Sequence, residues 1–505
     1  MIVMRENEIA LSPNPLVKHL KKPTSEFTKE DIIKVIEEKN IQMVNFRYVA
    51  DDGKLKTLNF FILNKEHLEN LLTTGERVDG SSIFNFIEAG SSDLYIIPKF
   101  RTAFINPFEE TPTLDILCGF YDNMGKPLES SPEFILRKAH EKFKRETGMV
   151  YKAMGELEYY VQSKRDESYP AIDQKGYHDA EPFAKWEHFR KHAMQLIAQC
   201  GGMIKYGHSE VGTFKTEKHL FEQQEIEFLP VHPEEAVDQL VVAKWIVRML
   251  GRQYDVNISF APKITIGKAG SGLHIHMLAE KDGKNVLVEN GKISDTAKKM
   301  IAGVLDLSSA LTAFGNTIPT SYLRLVPHQE APTYVCWGDR NRSALVRVPL
   351  GWLNDANDML ANANPLEPKT NKDFSGKQTF EFRVPDGSAN IHYLVAGLLI
   401  AVNHGLKMKN ALQFAEELYI PGNIFNDEFK DRRNRIDQLP TSCFDSADRL
   451  NQQRSILEED GVFPKGTIDA ISEGLTSFGD KDLSERLYGK SEEIWNLVDK
   501  YLHWM

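Results

Sequence analysis

Three short segments constrain this chain most, because each sets two polar groups two residues apart inside an apolar run. They are Glu156-Leu157-Glu158 in GELEYYV, His274-Ile275-His276 in GLHIHML and Glu381-Phe382-Arg383 in FEFRV. On a β-strand, residues i and i+2 share a face and residue i+1 points to the other. Leu157, Ile275 and Phe382 therefore point into packing, and each polar pair shares the opposite face. Taken singly, such a segment reads as the solvated face of an antiparallel sheet. As a set that includes a histidine pair, the three read as the wall of a polar cavity. Carboxylates mixed with imidazoles and no thiolate suit Mg²⁺ or Mn²⁺ better than a structural zinc.

A second group is cationic: Arg324 in SYLRLVP, and Arg340, Arg342 and Arg347 in WGDRNRSALVRVP, with Arg383 as a fifth. Surface ion pairing is the ordinary role of an arginine. Arg347, however, sits in an apolar strand-like run, where an unpaired cation is costly and a buried anion is needed. The guanidinium fork binds carboxylate and phosphate through two parallel bonds. Metal ligands beside such arginines imply a phosphorylated substrate such as ATP. Gly270-Ser271-Gly272 and Asp79-Gly80-Ser81-Ser82 read as tight turns when taken alone. The sequence holds no G-x-x-x-x-G-K-[ST] loop and no G-x-S-x-G elbow.

The bulk numbers narrow the class. A length of 505 residues exceeds one small core, so a large domain with a smaller one is expected. A net charge of −11 argues against a general nucleic-acid surface. The four cysteines, Cys118, Cys200, Cys336 and Cys443, lie far apart and make neither a zinc pair nor a disulfide framework. The N-terminus lacks the apolar core of a signal peptide, and no apolar run approaches the roughly 18 residues of a spanning helix. These readings point to a cytoplasmic protein with neither nucleic acid nor membrane as a partner.

The chain divides into three parts. Residues 1–29 are polar, with Pro13, Pro15 and Pro23, and read as an extension carrying a short helix. Residues 30–125 read as a small α+β domain. A helix expected over Ser25–Lys39 leads into it, with Thr28 as a cap and Ile32, Ile33, Val35 and Ile36 on one face, and Asp51-Asp52-Gly53 turns a hairpin between Met43–Tyr48 and Leu55–Leu63. Further strands are expected over 94–98 and 113–120. GKPLESSP (125–132) resembles a linker. Residues 126–505 read as a large α+β domain that carries the chemistry, with a helix opened by Pro132, a strong helix from Pro233 to Tyr254 and an apolar one around Val395–Val402.

In order and spacing these segments resemble glutamine synthetase of the bacterial type I form, from about residue 30 to the C-terminus. VDGSSIFNF (78–86), GELEYY, HSEV (208–211), QQEIEF (223–228), AGSGLHIHM, SYLRLVPHQEAP, WGDRNRSALVRVP and FEFRVPD carry the resemblance, with LPTSCFDSADRL and GVFPKGTIDA further on. The resemblance implies an N-terminal β-grasp domain followed by a large catalytic domain with a curved antiparallel sheet and helices. It also implies a homo-oligomeric dodecamer of two hexameric rings with active sites shared between subunits. The implied reaction makes L-glutamine from L-glutamate, ammonium and ATP through γ-glutamyl phosphate, with two or three Mg²⁺ or Mn²⁺ per site.

Site roles follow motif by motif from the same resemblance. Glu158, Glu210 and Glu225 would hold the metal nearer the glutamate; Glu156, His274 and Glu381 would hold the one that bridges the ATP phosphates. His276 would lie near the nucleotide. Gly270, Arg324 and Arg383 would bind the amino-acid substrate, and Arg342 and Arg347 would neutralise the transferring phosphoryl group. Asp79 of a neighbouring subunit would bind ammonium and help remove its proton. Glu330 would act as a flap that keeps water off the acyl phosphate.

The sequence also departs from the family pattern. Ala269 stands where the family has Asn, which leaves the glutamate pose open. Glu210 and Glu225 stand fifteen residues apart, wider than the family's spacing, with TFKTEKHLF (213–221) as the inserted loop. Glu217 has the ordinary spacing, but Glu225 has the matching flanks and is preferred. Lys205 replaces a nucleotide-contacting Glu. Tyr419 in ELYIP resembles a modified tyrosine of some members, although a packed helix-end tyrosine fits its flanks better. Two other functions stay open: a γ-glutamyl-amine ligase using an organic amine, and a non-catalytic structural or regulatory homologue.

Overall fold

The computed structural model describes residues 6–87, 92–326, 331–349, 358–370, 373–487 and 489–504. Its smaller sheet holds β1 (Met43–Val49), β2 (Leu55–Phe61), β3 (Glu76–Asp79), β4 (Asp93–Pro98), β5 (Phe104–Ile105) and β6 (Thr113–Tyr121). The order is β2-β1-β6-β4-β3, with β5 against β6. β1 and β2 form the expected hairpin, and Gly53 takes the positive φ of 75° that its turn requires. β1 and β6 pair in parallel, the central pair of a β-grasp sheet. The helix Lys29–Glu38 begins in a capping box between Thr28 and Asp31, and its Ile32, Ile33, Val35 and Ile36 are buried. They share one core with Phe46, Phe84 and Phe120. The segment read as an extension lies against this layer, since Leu16, Val17 and Phe27 are buried in the same core.

The larger sheet is built from β7 (Val150–Lys164), β8 (Ile204–Lys215), β9 (His219–Phe228), β10 (Asn257–Ser259), β11 (Leu273–Lys281) and β12 (Lys284–Asn285). After a small hairpin, β13 (Val288–Glu289) with β14 (Lys292–Ile293), it continues through β15 (Trp337–Asp339), β16 (Val346–Val348) and β17 (Phe380–Phe382). The order is β15-β16-β17-β11-β7-β9-β8, with β10 on β7 and β12 on β11, and the sheet curls into a half-barrel. Its pairs are antiparallel except β15 with β16, which run parallel and so depart from a wholly antiparallel sheet. Each of these two strands spans only about 10 Å at the strand rise, so a short loop suffices to carry the chain back.

One face of the curled sheet is apolar. Leu157, Ile275 and Phe382 are buried there in the large core, as the two-residue spacing requires. The helices Pro132–Thr147, Pro233–Gln253, Asp295–Gly315 and Ile391–Lys407 pack into that core. Ile391–Lys407 is apolar on nearly every side because it has packed neighbours on nearly every side. Among the described residues no single helix is long and apolar enough to cross a membrane. The two domains meet across a charged seam, where Lys99 and Arg101 flank the buried Asp238 at 3.3 and 2.5 Å. Burial alone would raise the Asp238 carboxyl, but these two cations outweigh it and hold the carboxyl low.

Candidate active site

Strand register writes the polar face as rows. Glu156 on β7 lies opposite His274 on β11 and Glu227 on β9. Glu158 lies opposite Glu225, which in turn lies opposite His208 on β8. His276 lies opposite Glu381 on β17, and Glu381 opposite Arg347 on β16. Glu210 joins them through a β-bulge. Ser209 pairs with Gln224 and Thr213 with Glu222, so Glu210, Val211 and Gly212 face Gln223 alone. Bulges re-aim side chains in this way. Gly212 is required there, because a Cβ would collide with the Tyr160 hydroxyl and the Gln223 amide.

These rows line a cavity of about 900 Å³. Glu156, Glu158, Glu210, Glu225, Gly270, His274, His276, Arg324, Arg342, Arg347, Glu381 and Arg383 all face it. Of the other expected residues, one is placed elsewhere and one is not described. Glu330 lies outside the described residues. Asp79 is exposed at the end of β3, in the smaller domain. Its carboxylate accepts from the Ser81 hydroxyl at 2.7 Å and the Ser82 hydroxyl at 2.9 Å. The Ser81 hydroxyl above all, then those of Ser92 and Ser82, lowers its pKa to about 2. Arg340 is exposed at the end of β15, with a φ of 56°, and is not part of the wall.

The wall has a strongly uneven charge. Glu156 is bonded at 2.9 Å to Nδ1 of His274 and at 2.7 Å to Nε2 of His276. Burial would raise its pKa, but the two imidazoles outweigh burial and hold it well below the usual carboxylate range. Glu225 shows the opposite balance. Burial first, then repulsion from Glu156, Glu158, Glu210 and Glu227, pushes it well above that range. Carboxylates converging on one buried point favour a divalent cation between them. Three groups have one ligand atom each within 4.8 Å of the others: Glu156, His276 and Glu381; His208, Glu210 and Glu225; and Glu156, Glu225 and Glu227. The wall therefore fits Mg²⁺ or Mn²⁺.

The ligand sets implied by the resemblance map onto this wall unevenly. His274 Nδ1 is 2.9 Å from Glu156 and 3.3 Å from Glu381, so those three stand together. Glu210 and Glu225 stand with His208. Glu158 has one oxygen engaged by the Gly272 N–H at 2.7 Å and the Gln223 amide at 3.1 Å. Its other oxygen is 3.9 Å from His274. Glu217 is exposed at the tip of the β8–β9 hairpin and does not line the cavity. Glu217→Ala is expected to leave metal affinity and turnover within about twofold, as surface substitutions do; a metal titration beside a turnover assay checks this.

Sequence reasoning missed Glu227 and His208. Both carried the two-residue signal: Glu225-Ile226-Glu227 repeats the Glu156–Glu158 spacing, and Tyr206, His208 and Glu210 alternate on β8. Glu227 accepts from Lys205 at 2.7 Å and from the Tyr206 hydroxyl. Lys205 thus brings a cation to the cavity where a carboxylate was expected.

Cationic side chains stand beside these ligands. Arg383 donates through Nε to Glu381 at 3.0 Å and through Nη1 to the Arg342 carbonyl. Arg347 donates to Glu381 at 3.1 Å, and its buried Nε has no partner among the described residues. An anion in the cavity would satisfy that nitrogen. Arg324 is buried and donates to the Val384 carbonyl at 2.8 Å. The Gly-Ser-Gly turn acquires a reason here. A Cβ on Gly272 would sit 2.6 Å from both Arg324 Nη2 and His274 Nε2, and one on Gly270 would meet the Pro262 carbonyl. Gly272→Ala is expected to displace both groups and to lower kcat/KM about a hundredfold, the scale of a 1 Å misplacement, with steady-state kinetics as the check. Tyr419 packs on Trp337, ring centroids 4.9 Å apart.

Fold and cavity together define a class: a β-grasp domain joined to a half-barrel sheet whose concave face carries metal-type ligands against arginines. The family model for the glutamine synthetase beta-Grasp domain matches residues 40–123, and that for the glutamine synthetase catalytic domain matches residues 129–474. The chain belongs to the glutamine synthetase family. It is 30% identical over 439 residues to a glutamine synthetase of Clostridium saccharobutylicum, covering 85% of this chain and 90% of that protein. It is likewise 30% identical over 422 residues to one from Pyrococcus horikoshii, covering 83% and 86%. Among solved structures it resembles Plasmodium falciparum glutamine synthetase, with a TM-score of 0.74 and 19% identity over 92% of this chain and 99% of that one. It also resembles GmaS without ligand, with a TM-score of 0.67 and 17% identity over 90% and 98%. Both likenesses are of fold.

Proposed function

We propose that this chain joins ammonia to the γ-carboxylate of L-glutamate at the expense of ATP, giving L-glutamine, ADP and phosphate. The observation that carries the reading is the single cavity in which converging carboxylates and imidazoles face Arg324, Arg342, Arg347 and Arg383. Two or three Mg²⁺ or Mn²⁺ ions supply charge neutralisation along the polyphosphate when bound. The carboxylates and His274 would hold them, and His276 would border the nucleotide. Gly270, Arg324 and Arg383 orient the amino acid, so that a γ-carboxylate oxygen attacks the terminal phosphorus and ADP leaves. Arg342 and Arg347 stabilise the charge that spreads over the transferring phosphoryl group. Ammonia then attacks the acyl carbon, and phosphate leaves with the former carboxylate oxygen. Glu330 is the flap that excludes water in this reading.

Asp79 stands outside its own chain's cavity, so we propose that it serves the cavity of a second copy in a ring-shaped homo-oligomer, a dodecamer by the family pattern. Its low pKa keeps it ionised, as an ammonium site needs. Asp79→Ala is expected to raise KM for ammonium about tenfold or more while KM for ATP moves less than about twofold. Equal changes in both would contradict the assignment.

The reaction is tested by ATP- and Mg²⁺-dependent phosphate release from glutamate with ammonium, with a panel of organic amines, and with neither. Release with ammonium supports the proposal. Release only with amines would make the chain an amine ligase, a reading that Ala269 and the likeness to GmaS keep in view. No release under any condition would leave a non-catalytic homologue.

A further inference from the structure

We propose that His208 supplies an imidazole ligand to the cation held by Glu210 and Glu225, so that this site favours Mn²⁺ over Mg²⁺ more than carboxylates alone would. The inference rests on the metal-dependent reading above and extends it to a residue outside the expected ligand set.

The case is geometric. His208 is 9% exposed and lines the cavity on β8, directly across the strand pair from Glu225. Its Nδ1 lies 3.1 Å from the Ser209 carbonyl oxygen. A carbonyl only accepts, so Nδ1 carries the hydrogen and Nε2 presents a lone pair. That Nε2 is 3.3 Å from Glu225 Oε1, and a cation that displaces the Glu225 proton would find both lone pairs aimed at it. Glu210 belongs to the same group, in which one ligand atom of each residue lies within 4.8 Å of the others, and its Oε1 is 3.9 Å from the Nδ1 side of the ring. Three electron-pair donors converging on one point, with the second ring nitrogen tied to a backbone carbonyl, is the arrangement by which a histidine ligates a metal. The ring is also seated from its other sides. His178 lies tilted against it at 4.5 Å, Tyr177 meets it edge-on at 5.3 Å, and Tyr206 lies 5.8 Å away. The bulge that turns Glu210 inward begins directly after Ser209, the residue that fixes the imidazole.

Ligand softness sets the consequence. Mg²⁺ keeps oxygen ligands and dehydrates reluctantly, whereas a nitrogen donor raises affinity for a first-row transition ion. A Glu/Glu/His site thus separates Mn²⁺ from Mg²⁺ where a three-carboxylate site separates them less.

The test uses the full chain and reads binding, not turnover. Free Mn²⁺ is followed by electron paramagnetic resonance during titration, with Mg²⁺ as competitor. His208→Ala is expected to weaken Mn²⁺ binding at one site about tenfold or more while Mg²⁺ affinity moves less than about threefold. His208→Asp, an oxygen ligand in the same place, is expected to shift the preference back toward Mg²⁺. Equal losses for both ions, or none, would overturn the proposal. On the unmodified chain, saturating Mn²⁺ is expected to protect His208 from diethylpyrocarbonate, read by peptide mass spectrometry; reaction at the same rate with and without Mn²⁺ would overturn it as well. The two readings fail separately. A chain that releases no phosphate yet shows these binding changes keeps His208 as a ligand, and an active ligase that shows none of them loses it.

Discussion

Glu225→Gln is expected to lower metal-dependent phosphate release about a thousandfold, the several kcal/mol that a bound Lewis acid contributes, and yet to stabilise the metal-free fold at neutral pH. The two effects share one cause. Glu225 is buried among Glu156, Glu158, Glu210 and Glu227, so its folded pKa is raised above that of the unfolded chain. A carboxyl raised in this way adds stability below its unfolded value, and that contribution is lost as pH rises through the folded value. Without a divalent ion the protein should therefore lose stability as pH climbs from the unfolded glutamate value toward the raised one. Glutamine removes that slope. Glu156 has the opposite sign: its lowered pKa adds stability above its unfolded value, lost as pH falls through the folded one. Calorimetric Tm against pH, with and without Mg²⁺, separates them. Mg²⁺ should raise Tm of the unmodified chain increasingly with pH, because binding displaces the proton that Glu225 otherwise holds, and should raise that of the Gln variant less and with a weaker pH dependence. A Tm that falls in Glu225→Gln at neutral pH without metal would contradict the assigned repulsion.

Arg347→Met is expected to lower kcat about a hundred- to a thousandfold, the usual cost of removing one charge-stabilising donor, with a smaller change in KM for ATP. Arg347 reaches the cavity from β16 while holding Glu381 at 3.1 Å, and its buried Nε is free to meet an anion. Arg347→Lys keeps the charge and loses the planar fork, so it should recover the pairing with Glu381 but only part of the rate. Single-turnover kinetics locate the loss in the phosphoryl step. If both variants bind and turn over ATP as the unmodified chain does, Arg347 is structural only.

Much of this site was legible in the sequence because strand periodicity is a local property. Glu156, Glu158, His274, His276 and Glu381 were placed on one face by spacing alone, and Leu157, Ile275 and Phe382 on the other. The helix capped by Thr28 and the hairpin at Asp51–Gly53 carried equally local signals. What stayed hidden depends on register between strands. The bulge at Glu210–Gly212 has no periodic signature, since three residues facing one is a property of the pair. His208 and Glu227 carried the two-residue spacing, but their places opposite Glu225 and Glu156 are properties of the register. The Gly272 requirement comes from Arg324, more than fifty residues away in the chain. The parallel pairing of β15 with β16 rests on strands too short to announce a direction.

The central claim is that this cavity transfers phosphate to the γ-carboxylate of glutamate before nitrogen attacks. Glutamate labelled with ¹⁸O in its γ-carboxylate tests this most directly, with the released phosphate read by mass spectrometry. One labelled oxygen in each phosphate released, matched to each glutamine or glutamyl amide formed, is the expected result. Product formed with unlabelled phosphate would contradict it, because no carboxylate oxygen would then have attacked phosphorus.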